Sequence, residues 1–175
     1  MARKKKFIRE SKVIMTELVL PNDTNTLNNL MGGRLMHWMD VGSAIAAQKH
    51  SNRIVVTASV DNISFGKPIR LGDVVTLEAS ISRAFNSSME VYIKVKSENI
   101  PDGKSEVTHS AFFTFVAVDQ GGRPIDVPEA VPETEEEKEL YAGALRRRQL
   151  RLILAKRMAP NDATELKSLF DLTNG

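Results

Sequence analysis

Five segments of the chain have the alternating or β-branched pattern that is typical of strands, and turn-forming residues separate them. Short turns at 86–88 and 101–103 join the last three segments as consecutive hairpins, which indicates an antiparallel sheet. The five segments are residues 13–20, 54–65, 74–85, 89–97 and 105–118.

A helical pattern lies between the first two predicted strands. Its apolar residues recur mostly at a spacing of three or four, and no proline occurs from residue 34 to residue 49. These apolar residues are Leu35, Met36, Met39, Ile45, Ala46 and Ala47. A single long helix needs a curved sheet to cover its apolar face, so the pattern predicts an α+β fold with one central helix wrapped by an antiparallel sheet.

The composition of the chain changes after the last predicted strand. Two glycines and three prolines between residues 121 and 132 indicate a linker, and residues 133–159 predict a C-terminal helix. This helix is acidic at its start and basic at its end, which complements the helix dipole. We therefore expect one domain over 12–120, a flexible basic tip over 1–11 and a loosely ordered tail over 160–175.

Composition excludes several classes of function. The 175 residues contain no cysteine, which rules out a thiol nucleophile and cysteine-ligated metals. The three histidines match no metal-binding spacing, and the formal charge of +2 does not favour nucleic acid. The basic residues 1–6 are expected to be a solvated end rather than a nucleic-acid contact. No apolar run follows them, so we expect a cytoplasmic protein without a membrane partner.

The predicted start of the central helix has the features of a reaction site. Gly32 and Gly33 place unsatisfied amides and the positive end of the helix dipole where a carbonyl oxygen could gain negative charge. Asp40 follows two turns later between apolar neighbours, as expected of a general base or nucleophile, although a solvated surface position is the alternative. Asn29 suits either the positioning of a water or thioester, or a simple helix cap.

Three sequence blocks resemble the acyl-CoA thioesterases of the hotdog fold. They are PNDTNTLNNLMGG, RLMHWMD and VVTASVDNISFGKPIRLGD, and the resemblance extends over about residues 12–118. It points to the single-domain bacterial hydrolases and their tandem-domain animal relatives, although no internal repeat is present here. The resemblance implies hydrolysis of acyl-CoA, no cofactor besides the coenzyme A of the substrate, and a homodimer that assembles into a hexameric trimer of dimers.

The resemblance also implies roles for individual residues. The helix acid and the Asn or Asp before the glycine pair carry the chemistry in that family, which here implicates Asp40 and Asn29. The Gly33 amide is the expected oxyanion donor. The predicted contacts with coenzyme A are Gly32, Thr57, Ser59, Lys67, Arg83, Ser87 and Ser88.

Two other functions remain open from the sequence. A hotdog dehydratase or hydratase would use a histidine, and His37 is the histidine on the predicted helix. A non-catalytic acyl-CoA-binding protein would keep the pocket but would not depend on Asp40. The arginines between 146 and 151 suit either the phosphates of coenzyme A or, as we expect, a solvated face or subunit contact.

Overall fold

The computed structural model of the chain describes residues 3–61, 63 and 65–171. The helices are α1 (Gly32–Ser51), α2 (Glu135–Leu154) and α3 (Thr164–Asp171). The strands are β1 (Lys5–Phe7), β2 (Val13–Leu18), β3 (Ile54–Asp61), β4 (Val74–Ala84), β5 (Ser88–Asn99), β6 (Lys104–Val118) and β7 (Glu129–Val131).

Five of these strands form an antiparallel sheet in the order β2-β4-β5-β6-β3, which leaves β2 and β3 at its edges. Each corresponds to one of the five strands predicted from sequence, with ends that differ by a few residues. The predicted strand 54–65 extended past the end of β3, and residues 62 and 64 lie outside the described part of the chain. The predicted antiparallel sheet with one long helix is confirmed.

Helix α1 packs against the sheet through residues spaced by three and four. Its buried positions are Leu35, Trp38, Met39, Gly42, Ser43, Ala46, Ala47, His50 and Ser51. Ile45 was predicted on this face but is 39% exposed, because α1 carries apolar residues on more than one side. At Gly42 an added Cβ would lie 3.1 Å from the sulfur of Met15 on β2, so the glycine lets helix and sheet approach closely.

Strands β1 and β7 form a small second sheet. They pair in parallel, in two places where sequence analysis predicted a flexible tip and a linker. Such short strands cannot show an alternating pattern, which is why the sequence did not reveal them. Near this sheet the Nε2 atom of His50 lies 3.0 Å from the carbonyl oxygen of Pro128 and donates to it, since a carbonyl can only accept.

The chain divides into two compact units, Met1–Val131 and Pro132–Gly175, where one domain with a tail was expected. In the second unit Thr134 caps α2 by accepting from the backbone amide of Glu137 at 3.2 Å. α2 ends at Leu154, short of the predicted end at residue 159, and α3 occupies the tail that was expected to be loose. The Leu166 amide donates to Gln149 Oε1 at 2.9 Å and thereby ties α3 to α2. Among the described helices, none combines the length and hydrophobicity needed to cross a membrane.

Candidate active site

The first turn of α1 presents free amides, as the glycine pair predicted. Met31 precedes the helix in an extended conformation and its side chain makes no cap, so Asn29 does not have the capping role that was one of its two alternatives. Within the described residues, the Gly32 and Gly33 amides donate to no acceptor. The positive end of the α1 dipole therefore faces an open position where negative charge would be stabilised.

The loop before α1 is held by contacts with the turn between β3 and β4. The Leu30 amide donates to the Ile69 carbonyl at 2.7 Å, and the Leu71 amide donates to the Asn28 carbonyl at 2.9 Å. Arg34 on the first turn of α1 forms an ion pair with Asp23 at 2.9 Å. The helix start and this turn are thus fixed relative to each other.

Asn25 organises the same loop from within. Its side-chain Oδ1 accepts from the Leu27 amide at 2.9 Å and from the Asn29 amide at 3.1 Å, while its own amide donates to the Asn29 carbonyl at 2.9 Å. The Oδ1 atom is therefore occupied, and the side-chain NH₂ group of Asn25 remains a donor without an acceptor among the described residues. Sequence analysis did not single out Asn25.

Asp40 meets β3 halfway along α1. Thr57 Oγ1 donates a hydrogen bond of 2.9 Å to Asp40 Oδ1, so a helix and a strand together fix the orientation of the carboxylate. The ladder between β3 and β6 has a bulge between Thr57 and Ser59, which changes the direction of the strand at this point. Asp40 is half-buried, and its Oδ2 atom has no hydrogen-bond donor among the described residues.

Asp40 and the free amide of Gly33 lie far apart within one chain. Asp40 follows Gly33 by seven positions, which corresponds to about 10 Å along the helix axis. A water held by Asp40 and a carbonyl held by the Gly33 amide of the same chain would therefore not be in contact. A reaction at a single carbonyl therefore cannot use Asp40 and the Gly33 amide of the same chain.

A cavity of about 360 Å³ opens beside the N-terminus of α1. Three predicted residues, Asn29, Gly32 and Lys67, line it. The other lining residues are Leu30, Leu35, Phe65, Gly66, Pro68, Ile69 and His109. Most of the wall is apolar, as is usual for a pocket that binds a small organic group.

His109 is a cavity residue that sequence analysis missed. It is 5% exposed, its Nδ1 atom has no hydrogen-bond partner among the described residues, and its ring packs edge-on against Phe65 with centroids 5.6 Å apart. Burial lowers the pKa of His109, so the ring is neutral. The available signal was its register on β6, where His109 precedes the inward-facing Ala111 and Phe113 at a spacing of two.

The structure does not bring all predicted coenzyme A contacts to this cavity. Arg83, Ser87 and Ser88 lie at the far end of β4, a strand whose length is about 35 Å. The Oγ atom of Ser59 is buried without a partner among the described residues. His37, the histidine considered for a dehydratase, is exposed on α1 and does not line the cavity.

An open polar basin of about 740 Å³ adjoins the cavity and shares Lys67 and Pro68 with it. Inside the basin, buried Asp73 accepts hydrogen bonds from the Arg70 amide at 2.9 Å and from the Ser97 hydroxyl at 3.2 Å. The remaining lining residues are Arg70, Asn99, Asp102, Gly103, Lys104, Ser105 and Glu106. Across the described residues, no group of three or more histidines or acids is arranged to hold a metal ion.

Comparison with known proteins gives consistent matches. Residues 27–104 match the model of the thioesterase superfamily. The chain is 46% identical over 142 residues to the "uncharacterized acyl-CoA thioester hydrolase YkhA" of Bacillus subtilis, covering 81% of this chain and 83% of that protein. It is 39% identical over 155 residues to acyl-coenzyme A thioesterase 11 of Mus musculus, covering 89% of this chain but only 26% of the mouse protein.

Solved structures match over most of the chain. An apo-hexameric acyl-CoA thioesterase has a TM-score of 0.85 at 41% identity, over 87% of this chain and 97% of that one. An acyl-CoA hydrolase from Staphylococcus aureus, solved with butyryl coenzyme A, coenzyme A and coenzyme A disulfide, has a TM-score of 0.81 at 38% identity, over 87% and 95%. That hydrolase was also solved as three variants, in which alanine replaces an asparagine, an aspartate or a threonine.

Proposed function

Because the chain belongs to the thioesterase superfamily, we propose that it hydrolyses acyl-CoA to a free acid and coenzyme A with Asp40 as the catalytic carboxylate. The resemblance drawn from the sequence is confirmed at the level of this family. The observation that carries the assignment of Asp40 is its 2.9 Å hydrogen bond from Thr57, which holds one carboxylate oxygen and leaves the other open. A carboxylate fixed in this way is oriented before the substrate arrives.

Two chemical routes use this carboxylate. As a general base, Asp40 takes a proton from water while the water oxygen attacks the thioester carbonyl carbon. As a nucleophile, Asp40 attacks the carbon itself and water then hydrolyses the mixed anhydride. In both routes the carbon–sulfur bond breaks, coenzyme A leaves as a thiolate that takes up a proton, and the Gly33 amide stabilises the negative carbonyl oxygen.

We assign the asparagine of the site to Asn25 in preference to Asn29. Asn25, Asp40 and Thr57 follow one another along the chain at the same spacings as the asparagine, aspartate and threonine that were replaced by alanine in the S. aureus hydrolase. Asn25 keeps its NH₂ group available, because only its Oδ1 atom is used within the loop. Asn29 instead lines the cavity and contributes to the pocket wall.

The separation along α1 leads us to propose that each site combines Asp40 of one subunit with Gly33 of another. The edge strand β3 carries exposed apolar residues next to Thr57, with Ile54 61% and Val56 49% exposed, and this edge suits a contact with a second copy. A hexameric thioesterase is among the structures that this chain resembles. The proposed minimal unit is a homodimer, assembled into a trimer of dimers.

The experiment is to measure thiol release from a panel of acyl-CoA thioesters, from short to long, by the protein and by Asp40→Asn. We expect turnover that falls about a hundredfold or more in the variant, because the carboxylate supplies the general base or the nucleophile. Asn25→Ala and Asn29→Ala form a matched pair in the same assay, and Asn25→Ala should lower kcat more.

The assay also separates the alternatives. Binding of acyl-CoA without hydrolysis would point to a non-catalytic binding protein. Hydrolysis that survives in Asp40→Asn would remove Asp40 from the mechanism. Equal effects of the two asparagine variants on kcat would contradict the choice of Asn25.

A further inference from the structure

The cavity beside the N-terminus of α1 is mostly apolar, and one of its polar lining residues is His109, whose imidazole is buried. Leu30, Leu35, Phe65, Pro68 and Ile69 supply the apolar wall. His109 enters from β6 on the face that points to the core. An apolar site of this kind accepts a hydrocarbon chain, and its polar residues decide which substituents the chain carries.

His109 has an unmet capacity for hydrogen bonding. Its Nδ1 atom is inaccessible and without a partner, and Nε2, the ring nitrogen that a ligand can reach, also forms no hydrogen bond within the described residues. Because burial lowers the pKa of the ring, His109 is neutral and offers one donor and one acceptor. A buried polar group without a partner is unfavourable, so a ligand atom that supplies the bond is selected over one that does not.

The position of the polar basin decides which end of an acyl-CoA reaches His109. Three cations and three carboxylates line the basin, and one pair of them, Lys67 and Glu106, forms an ion pair. Arg70 and Lys104 form no ion pair within the described residues, so these two side chains are the ones that suit the phosphates of coenzyme A. Lys67 and Pro68 join the basin to the cavity. With coenzyme A on the open side, the acyl chain enters the cavity.

One aromatic ring, that of Phe65, lies between the helix start and the imidazole. A Cβ added at Gly32 would lie 3.4 Å from the Phe65 ring, and the centroid of that ring is 5.6 Å from that of His109. The cavity of about 360 Å³ is near the lower end for sites that bind small molecules. A thioester carbonyl at the first turn of α1 would therefore place the first few carbons of its acyl chain near His109.

We propose that His109 makes this cavity selective for short acyl groups that carry an oxygen, as a hydroxyl or keto group, over the unsubstituted acyl groups of the same length. The selectivity rests on the proposed function, since it concerns the acyl group of the thioester that the enzyme hydrolyses. His109 acts here as a specificity-determining residue. Asp40 remains the group that carries the reaction.

The test compares kcat/KM for 3-hydroxybutyryl-CoA and butyryl-CoA with the full chain. We expect the hydroxylated thioester to be preferred by about tenfold, which corresponds to one hydrogen bond. His109→Leu should lower kcat/KM for 3-hydroxybutyryl-CoA more than for butyryl-CoA, so that their ratio falls to about one, because leucine fills the space but cannot form the bond. His109→Gln, which keeps a donor and an acceptor, should retain part of it.

A second measurement does not depend on how a His109 variant folds. In Asp40→Asn protein labelled with ¹⁵N-histidine, 3-hydroxybutyryl-CoA should shift the ring-nitrogen resonances of His109, and butyryl-CoA should shift them less. Equal shifts, a wild-type preference near one, or equal losses for both thioesters in His109→Leu would overturn the selectivity. Hydrolysis of longer acyl-CoA thioesters but of neither four-carbon thioester would also overturn it, whereas failure on the whole acyl-CoA panel would instead overturn the proposed function.

Discussion

The two regions of α1 that belong to the proposed site, the middle of the helix and its start, differ in their hydrogen bonding. At mid-helix, Asp40 is already hydrogen-bonded by Thr57 and therefore oriented. At the helix start the Gly32 and Gly33 amides, and beside it the ring nitrogens of His109, form no hydrogen bonds among the described residues. In the proposed site this difference separates two tasks: a carboxylate oriented by one hydrogen bond would carry the reaction, and groups without hydrogen bonds would bind atoms that the substrate brings.

The helix start should show the largest effect after Asp40 itself. Gly33→Pro removes the amide hydrogen, and proline is tolerated in the first turn of a helix. We expect kcat to fall by about 10² to 10³, because a donor to the developing oxyanion is lost. Gly33→Ala is the control. An added Cβ there meets nothing within 4 Å, so alanine should leave kcat unchanged. Steady-state hydrolysis of butyryl-CoA measures both, and similar kcat values for the two variants would remove the Gly33 amide from catalysis.

The mid-helix pair should show a smaller effect. Thr57→Val keeps the shape of the side chain but deletes the hydrogen bond to Asp40, and we expect kcat to fall about tenfold while KM stays similar. Thr57→Ser keeps the hydroxyl and should retain most of the activity. If valine and serine are equivalent in kcat, the orientation of Asp40 does not depend on Thr57.

The smallest expected effect concerns stability and pH. Burial lowers the pKa of His50 and of His109, so both are neutral in the folded chain. Below pH about 6.5 the unfolded chain binds protons first, and the stability present above that pH is lost as pH falls toward the lowered pKa values. Urea denaturation at several pH values between about 7.5 and 5.5 measures the slope.

A variant shows whether the cavity histidine causes this pH dependence of the free energy of unfolding. His109→Gln should flatten it, because one of the two buried rings is gone. A slope that persists unchanged in His109→Gln would mean that the cavity contributes nothing to the pH dependence.

Much of the fold follows from pattern in the sequence. The five strands of the main sheet have alternating or β-branched patterns, and the hairpin turns indicate antiparallel pairing, so an antiparallel sheet and α1 were predicted, although the strand order was not. The short strands β1 and β7 were not predicted, because their pairing joins Lys5 to Glu129, which lie at opposite ends of the first compact unit. Such long-range pairing leaves no local signal.

The candidate site was harder to predict, because several of its contacts join residues that lie far apart along the chain or depend on how a loop folds. The glycine pair and Asp40 lie on one helix, so their spacing alone placed them. Thr57 was predicted as a coenzyme A contact, and its bond to Asp40 depends on how β3 lies beside α1. Asn25 and Asn29 belong to one loop, and only the hydrogen bonds of the folded loop distinguish their side chains.

Mixing two inactive variants tests most directly whether the two regions of α1 act together across a subunit contact. Asp40→Ala and Gly33→Pro are unfolded together, refolded, and assayed with butyryl-CoA beside each variant refolded alone. If each site takes Asp40 and Gly33 from different chains, half of the randomly formed dimers contain one intact site, and activity should return to about a quarter of wild type. If the mixed protein forms hetero-oligomers by native mass spectrometry but stays as inactive as its parents, the composite site is contradicted.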